Sequence, residues 1–461
     1  MCYYLDSRQN KFISMASHTK GSFLHIIQLV HFFEKVLSNK FAFVRKIIFS
    51  IQLFGNLLQF PFNLNLSIEL RMYKLLIILS ISLLFIDFSK STSKNDRDGK
   101  FLSLFSIVQF KNEACRSTST ISNGGSGSTS RNGTCYTDVE CTNKGGLAAG
   151  QCAAGFGVCC VFLVSSSGST IRENCTYVTN PGFPNAYTGS TAVSYTINKA
   201  HIDICKLRLD FESFTTNGPS SSEEVDGGKC VDTFMITTST LVDQSVPTIC
   251  GQNTGQHVYI DIGNGESDTA QMRFNFMGDS GVRMWEIKVS QLKCDAPFSA
   301  PPGCLQYHEG LTGKLTTFNF PVTDTSHLAD QRYSICIRQE SGFCCIRYKV
   351  CSEPNAFSLW VKEAKAMIDT GCTLDFIGIE GSSSDCTCGA PGLNLSDRYC
   401  GAKLNTQAMA EVNAPICDCT PPFRVNIVTD ADVDAGDMGA TKNMAKSRGV
   451  CLTWSQTRCC S

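Results

Sequence analysis

The sequence has no excess of charge of either sign. Its 40 lysines and arginines stand against 41 aspartates and glutamates, which leaves a formal net charge of -1. Long hydrophobic runs are missing as well, because the best candidate, the twelve residues 75–86, falls short of the roughly 20 that a membrane span needs. We therefore expect no nucleic-acid partner, since such binding depends on a basic surface.

Cysteine is nearly absent from the early chain, where only Cys2 precedes Cys115, although the whole sequence has 26 cysteines. The composition changes near residue 90: twelve of the 30 phenylalanines but only two of the 37 glycines come earlier. Met72 and the apolar run after it have the form of a signal peptide. We therefore expect residues 1–71 to be an upstream extension or disordered and residues 72–90 to be a signal peptide, with an uncleaved anchor at residues 75–88 as the alternative.

The cysteine-rich remainder predicts an exported, disulfide-bonded protein. Between Cys175 and Cys294, apolar and polar residues alternate with a period of two, as half-buried antiparallel strands do. The alternating segments are Leu207–Phe211, Met272–Phe276 and Trp285–Val289. Turn-rich stretches separate them, so the pattern predicts an all-β sandwich.

The same region opens with Asn180-Pro181-Gly182-Phe183-Pro184-Asn185-Ala186-Tyr187 and resembles a CUB domain, expected over residues 171–294. The resemblance implies the disulfides Cys175–Cys205 and Cys230–Cys250. A second, more divergent CUB-like domain is expected over residues 304–459, on the motifs Gly310-Leu311-Thr312-Gly313 and Phe318-Asn319-Phe320-Pro321. There the resemblance implies Cys304–Cys336 and Cys372–Cys400. The fold class is thus tandem CUB-like antiparallel β-sandwiches behind a small disulfide-rich module.

That module, expected over residues 107–162, has six cysteines between Cys115 and Cys160. So short a segment buries little core, and cross-links have to hold it. The adjacent Cys159 and Cys160 should bond to different partners, while the pairing of all six stays open. The module is similar to the clip domains ahead of some invertebrate serine proteases, and the whole arrangement resembles secreted invertebrate CUB-domain proteins.

The CUB resemblance also implies calcium, which many CUB domains hold through carboxylates beside the binding edge. Asp232 and Asp279 fall near the expected positions in the first sandwich, and Asp375 and Asp430 in the second. Calcium takes about six to eight oxygen ligands, and neither sandwich has a clear match for the expected glutamate. Surface carboxylates in turns are the alternative, and no other cofactor is expected.

Three further motifs have structural interpretations. Gly278-Asp279-Ser280-Gly281 is similar to the nucleophile loop of serine proteases, but no histidine has the matching context. Asp369 is similar to an aspartic-protease carboxylate without its second copy and is expected in a turn. Zinc could bind four paired thiolates, but disulfides are expected in an oxidising compartment; these cysteines are Cys386, Cys388, Cys417 and Cys419.

Sequons at Asn132, Asn174 and Asn394 predict glycosylation. The sequence as a whole predicts a secreted, non-enzymatic module that binds extracellular protein or carbohydrate through sandwich loops. One alternative is a non-catalytic regulator in an extracellular protease cascade. Another is a matrix component cross-linked through the odd cysteine, assigned to Cys460. Membrane attachment is expected only if residues 75–88 remain uncleaved.

Overall fold

Strands dominate the part of the chain that the structure describes. The computed structural model describes residues 110–117, 130–219, 224–240, 246–277, 281–297, 299–323, 325–359, 364–386, 395–431, 434–435 and 447–459. All of them belong to one compact unit that contains Val108–Ser461. The expected extension (residues 1–71) and signal peptide (residues 72–90) lie outside the described residues, as do Asp279, Cys388, Asn394 and Cys460.

The six-cysteine module is a small antiparallel sheet with one short helix. Its elements are β1 (Ala114–Arg116), β2 (Asn132–Tyr136), α1 (Asp138–Asn143), β3 (Leu147–Cys152), a 3-10 turn (Ala153–Gly155) and β4 (Gly157–Val164). Helix α1 begins after Thr137, whose hydroxyl accepts a hydrogen bond from the Glu140 N–H at 3.2 Å. The disulfides are Cys115–Cys159, Cys135–Cys152 and Cys141–Cys160. The adjacent cysteines therefore do bond to different partners.

The first sandwich packs a four-stranded sheet against four strands of an eight-stranded sheet. Its strands are β5 (Ser169–Ile171), β6 (Thr176–Thr179), β7 (Val193–Asn198), β8 (Ile204–Thr215), β9 (Glu224–Asp226), β10 (Thr233–Thr238), β11 (His257–Asp261), β12 (Thr269–Asn275) and β13 (Met284–Lys293). One sheet has the order β5-β7-β12-β10, and the other includes β6-β13-β8-β11. Strand β9 lies outside both sheets.

The second sandwich consists of a six-stranded and a five-stranded sheet. Its strands are β14 (Gln306–His308), β15 (Thr312–Thr316), β16 (Arg332–Ile337), β17 (Phe343–Val350), β18 (Phe357–Ser358), β19 (Ala366–Ile368), β20 (Phe376–Ser382), β21 (Ser396–Gly401), β22 (Ile416–Asp418), β23 (Arg424–Val428), β24 (Asp434–Ala435) and β25 (Gly449–Arg458). The orders are β14-β16-β23-β20-β21-β19 and β15-β25-β17-β22, with β18 beside β25 and β24 paired to β9.

The two sandwiches repeat one topology. In the first, β5-β7-β12-β10 begins with a parallel pair and continues antiparallel. In the second, β14-β16-β23-β20 follows the same scheme. The partner sheets β6-β13-β8-β11 and β15-β25-β17-β22 are antiparallel throughout. The predicted all-β tandem architecture is therefore confirmed.

The alternating segments supply the core, as their period predicts. Leu207, Leu209 and Phe211 of β8 are all buried, and so are the apolar residues of Met272–Phe276 and Trp285–Val289. Two of these segments meet where the Phe274 and Trp285 rings stack with centroids 4.2 Å apart. Truncation of a buried aromatic residue of this kind costs about 3–5 kcal/mol.

The six-cysteine module packs directly against the first sandwich and shares a sheet with it. Strand β4 pairs in parallel with β6, so the module's sheet continues into the sandwich. Across this junction, the Arg131 Nε lies 2.6 Å from the Glu286 Oε1 in a buried ion pair. The Asn132 N–H also donates to the Tyr177 hydroxyl at 2.9 Å. The two parts consequently share backbone pairing, charge and packing.

The two sandwiches meet edge to edge. The Tyr259 N–H of β11 donates to the Leu305 carbonyl at 2.7 Å, and the Leu305 N–H donates to the Ser334 carbonyl at 3.0 Å. Beside this bridge the rings of His257 and His308 pack with centroids 5.1 Å apart. Burial lowers the pKa of His257 to about 3 and the pKa of His308 to about 4, and the nearby Arg208 charge adds to both. The junction therefore contains two neutral imidazoles.

Three of the disulfides that the resemblance implied are present: Cys230–Cys250, Cys304–Cys336 and Cys372–Cys400. The fourth, Cys175–Cys205, is wrong. Cys205 bonds to Cys294, because β8 and β13 are paired and the Cys294 N–H donates to the Asp203 carbonyl at 2.8 Å. Cys175 is bonded to a different cysteine.

Additional disulfides close the second sandwich: Cys344–Cys459, Cys345–Cys419, Cys351–Cys451 and Cys386–Cys417. Three of the four proposed zinc thiolates are therefore in disulfides, and the fourth, Cys388, lies outside the described residues. A thiolate zinc site is excluded for Cys386, Cys417 and Cys419, since zinc binds the free thiolate.

Candidate functional site at the loop end of the first sandwich

Several loops meet at one end of the first sandwich. They include the segment around Asp232, which the CUB resemblance predicts to lie beside the binding edge. We define this loop end as residues 180–192, 216–218, 230–232, 276–277 and 281–283. Asn180 fixes its first loop, because the side-chain amide donates to the Asn185 carbonyl at 2.9 Å and accepts from the Trp285 N–H at 3.0 Å. Asn180 is completely buried, so the turn is held by the sandwich itself.

Asp232 lies at the centre of the loop end and is fully buried. Its Oδ2 accepts hydrogen bonds from the Arg283 Nε at 2.8 Å and from the Asn217 N–H at 2.8 Å. Its Oδ1 accepts from the Arg283 Nη2 at 3.0 Å and from the Met277 N–H at 3.0 Å. A carboxylate offers about four lone-pair positions. All of them are used here.

Arg283 supplies the positive charge that this buried carboxylate needs. Its guanidinium is also fully buried and lies 4.9 Å from the centroid of the Phe276 ring. A further hydrogen bond runs from Nη2 to the Met277 carbonyl at 3.2 Å. The planar fork of arginine suits such a two-pronged contact, whereas lysine offers a single point of charge. The loops before β10, after β12 and before β13 are thereby tied to one another.

The predicted calcium site of the first sandwich does not fit this geometry. Calcium would need oxygen lone pairs from Asp232, and the four donors around that carboxylate already occupy them. The second predicted ligand, Asp279, lies outside the described residues. Arg283 thus takes the place beside Asp232 where a metal cation was expected.

The second sandwich brings its two predicted ligands together. The Asp430 N–H donates to the Asp375 Oδ1 at 2.9 Å. The other oxygen, Asp375 Oδ2, lies 3.5 Å from the Nε2 of His327, a residue that is only 2 % exposed. Asp375 occupies the same place before β20 that Asp232 occupies before β10, yet its neighbour is an imidazole instead of a guanidinium. Calcium at Asp375 and Asp430 stays a prediction.

Apolar side chains project from the rim of the loop end. Met277 is 66 % exposed and Val282 is 61 % exposed, although both adjoin the buried Arg283 and Asp232 contacts. Behind them, the Tyr187 ring packs against Phe276 and Trp285, with centroids 5.2 Å and 5.7 Å away. The rim therefore has exposed apolar side chains above a layer of packed aromatic rings.

The remaining predicted sites lie elsewhere. Asn132 is in β2, and Asn174 precedes β6 with its Oδ1 accepting from the N–H groups of Cys175 and Gln291, each at 2.8 Å. Asn394 lies outside the described residues, so glycosylation stays a prediction at all three positions. Asp369 begins a 3-10 turn, as expected, and its Oδ1 accepts from the Asp397 N–H at 2.8 Å.

Sequence reasoning found Asp232 but missed Arg283. The available signal was an arginine directly before the alternating strand that starts at Met284, a place where a charged side chain can turn back beneath the loops. The interpretation as a metal ligand also overlooked that a buried carboxylate is often paired with arginine.

Comparison with known proteins finds a family match for the second sandwich. Residues 301–457 match the family model of the animal CUB domain. No curated protein matches the chain. This match covers the sandwich that contains the disulfides Cys304–Cys336 and Cys372–Cys400. Within the described residues, no helix is long and apolar enough to cross a membrane.

Solved structures with CUB domains are also similar to the chain. The CUB1-EGF-CUB2 domains of rat MASP-1 are 15 % identical, with 62 % of this chain and 100 % of that chain covered and a TM-score of 0.20. The same domains of human MASP-1/3 are 16 % identical, covering 61 % and 98 %, with a TM-score of 0.19. The Ca²⁺-bound CUB2 domain of MASP-1 is 20 % identical, covering 27 % and 98 %, with a TM-score of 0.21. At these values the similarities transfer no ligand or activity to this chain.

Proposed function

We propose that this protein is a secreted, non-enzymatic module that binds an extracellular protein through the loop end of the first CUB-like sandwich. The observation that carries the proposal is the pair of exposed apolar side chains, Met277 and Val282, on loops anchored by the buried Asp232–Arg283 pair. Rigidly presented apolar groups lose little entropy on binding, and this favours a protein partner.

Two further features support an extracellular binding function. Eleven disulfides join described cysteines, as is typical of exported proteins. The animal CUB family model also matches residues 301–457, and CUB domains are generally protein-interaction modules without catalytic activity. Because Asp232 is satisfied by Arg283, binding at the loop end should persist when calcium is chelated.

The test places a photo-crosslinking amino acid at position 277 or 282 of the full-length secreted protein and exposes it to extracellular fluid. We expect one partner to be cross-linked from both positions, with and without EDTA. The matched control carries the same group at Val139, which is 68 % exposed but lies on the six-cysteine module.

With the partner in hand, surface plasmon resonance compares Met277→Asp/Val282→Asp with wild type. Truncated apolar contacts and a buried new charge should weaken binding by at least about tenfold, while Val412→Asp, at another exposed apolar site, should leave it unchanged. Cross-linking from position 139 alone would refute the proposal. Hydrolysis of the partner by the purified chain would refute its non-enzymatic part.

A further inference from the structure

A groove of about 670 Å³ lies on the outer face of the second sandwich, away from the loop end of the first. Its floor is the sheet formed by β16, β23, β20 and β21. One wall comes from Asp261 of the first sandwich together with Pro302 and Gly303, where the chain passes between the sandwiches. The volume falls within the range of about 300–1,000 Å³ that is usual for small-ligand sites.

One position in the floor of this groove, Gly378, has no side chain. Across the sheet, Ser334, Asn426, Gly378 and Arg398 form one row of neighbours, and Gly378 leaves a gap in its middle. The first sandwich has no such gap at the corresponding place. Gly378 comes three residues after Asp375, just as Met235 comes three residues after Asp232. The repeated topology thus puts methionine in one sandwich where the other has glycine.

The groove offers hydrogen-bond donors on one side of that gap. The Ser334 hydroxyl donates to the Asn426 Oδ1 at 2.7 Å, which directs the two Nδ2 hydrogens of the amide elsewhere. Arg332 is exposed, and among the described residues its guanidinium has no ion pair or hydrogen bond. These two side chains can donate to a bound molecule.

Acceptors and an apolar surface lie on the other side. Glu380 is exposed, and Asp397 uses one oxygen for the Gly381 N–H at 2.8 Å. Between them and the donors lies the Phe376 ring, with the Arg398 guanidinium 4.7 Å from its centroid. The charges of Arg332 and Arg398 balance those of Glu380 and Asp397, while Asp261 is already paired with Lys206 at 2.9 Å.

We propose that this groove binds a neutral oligosaccharide. Sugar hydroxyls both donate and accept, so they match the mixed donors and acceptors of the groove. Balanced charge gives a polyanion no advantage. An extended peptide is disfavoured because the floor is the middle of a sheet, with no free strand edge to pair with its backbone. This site is separate from the protein-binding loop end proposed above.

The test is isothermal titration of the full-length secreted protein with four neutral trisaccharides: maltotriose, cellotriose, mannotriose and triacetylchitotriose. A neutral tripeptide, Ala-Phe-Ala blocked at both ends, serves as the competing probe. We expect at least one trisaccharide to bind and the peptide not to bind. Gly378→Met, which installs the methionine of the first sandwich, should reduce the affinity by at least about tenfold.

A Cβ at position 378 would lie 3.3 Å from the Asn426 Cβ, so the Asn426 side chain has to shift by a few tenths of an ångström to accommodate Gly378→Met. The matched control, Met235→Ala, changes the corresponding position of the first sandwich and should bind as wild type does. Should Gly378→Met not fold, Arg332→Ala/Glu380→Ala removes exposed polar groups instead and should show the same loss. Failure of all four sugars, equal binding by the groove variants, or preference for the peptide would each overturn the proposal.

Discussion

Asp232 and Arg283 show how a buried ion pair can organise the loops around it. Isolated, either group would be costly to bury, and together they satisfy each other with help from two backbone N–H groups. The ion pair therefore acts mainly by fixing three loops in one arrangement. Its effect on the free energy of unfolding becomes measurable when one of the two residues is replaced.

We expect Arg283→Met to lower the free energy of unfolding by about 3–5 kcal/mol, since it leaves the Asp232 carboxylate buried without its counter-charge. Urea denaturation monitored by tryptophan fluorescence measures this loss. The control is Lys314→Ala, which breaks an exposed ion pair with Glu353 and should cost no more than about 1 kcal/mol. Equal effects from both substitutions would mean that the buried pair is not an anchor.

For single residues, the sequence predicted where Asp232 lies but not which side chain it contacts. Asp232 was placed at the binding edge, and the placement depended only on its distance from Cys230 along the chain. Its partner Arg283 is 51 residues away, and their contact exists because β10 and β13 start, and β12 ends, at the same end of the sandwich. No local sequence pattern indicates that Asp232 and Arg283 are close in the fold. The Asp232 carboxylate was therefore interpreted as a metal ligand.

Strands β11 and β14 lie at the junction between the two sandwiches. The His257 Nε2 lies 3.0 Å from the Tyr307 carbonyl oxygen and 3.1 Å from the Tyr307 backbone nitrogen, and the His308 ring packs against the His257 ring. Each imidazole is held neutral, because burial and the nearby Arg208 charge disfavour protonation. A proton at this junction would therefore weaken it.

We expect the protein to lose stability as the pH falls below about 6.5. In the folded state the pKa of His257 is about 3 and that of His308 about 4, whereas both are near 6.5 when unfolded, so only the unfolded state gains protons over this range. The stabilisation is complete above pH 6.5 and decreases steadily towards pH 4. At pH 5 the loss is on the order of 2 kcal/mol for each histidine.

Denaturation at pH 7.5 and pH 5 measures this loss. His257→Gln/His308→Gln keeps both a donor and an acceptor for the Tyr307 backbone but does not titrate, so it should make the stability much less dependent on pH. His201→Gln, at a histidine whose side chain is 34 % exposed, should retain the full loss. An unchanged pH dependence in the double variant would contradict the assignment to the junction.

Elements were predictable wherever the pattern was local. The period of two in Leu207–Phe211 and Trp285–Val289 predicted strands β8 and β13 because alternation needs only neighbouring residues. Their pairing was not predicted, and that is why Cys205 was assigned to Cys175 rather than to Cys294. The bridge from Tyr259 to Leu305 was missed for the same reason, since it joins edges of two different sheets.

The described molecule has one continuous interior. A single cluster of buried apolar residues includes Phe234 and Trp285 of the first sandwich together with Tyr348 and Trp454 of the second. Strand β9 of the first sandwich also pairs with β24 of the second. The sequence predicted two sandwiches correctly, but the packing between them depends on surfaces that no repeat or period reveals.

We expect both sandwiches to unfold in a single calorimetric transition, with equal van't Hoff and calorimetric enthalpies, because neither can lose its core alone. Phe234→Ala and Tyr348→Ala alter opposite sandwiches and should both lower the temperature of that one transition. Two separated transitions, each shifted by only one of the substitutions, would show that the sandwiches fold independently.

The edge-to-edge bridge also has a consequence for proteolysis. Leu305 covers the outer edge of β11, and an uncovered strand edge is a template for pairing with another chain. A cut in the segment between Lys293 and Leu305 that separated the two sandwiches would expose this edge. Such a fragment would tend to self-associate through the exposed edge. The second sandwich therefore protects the first against aggregation by covering β11.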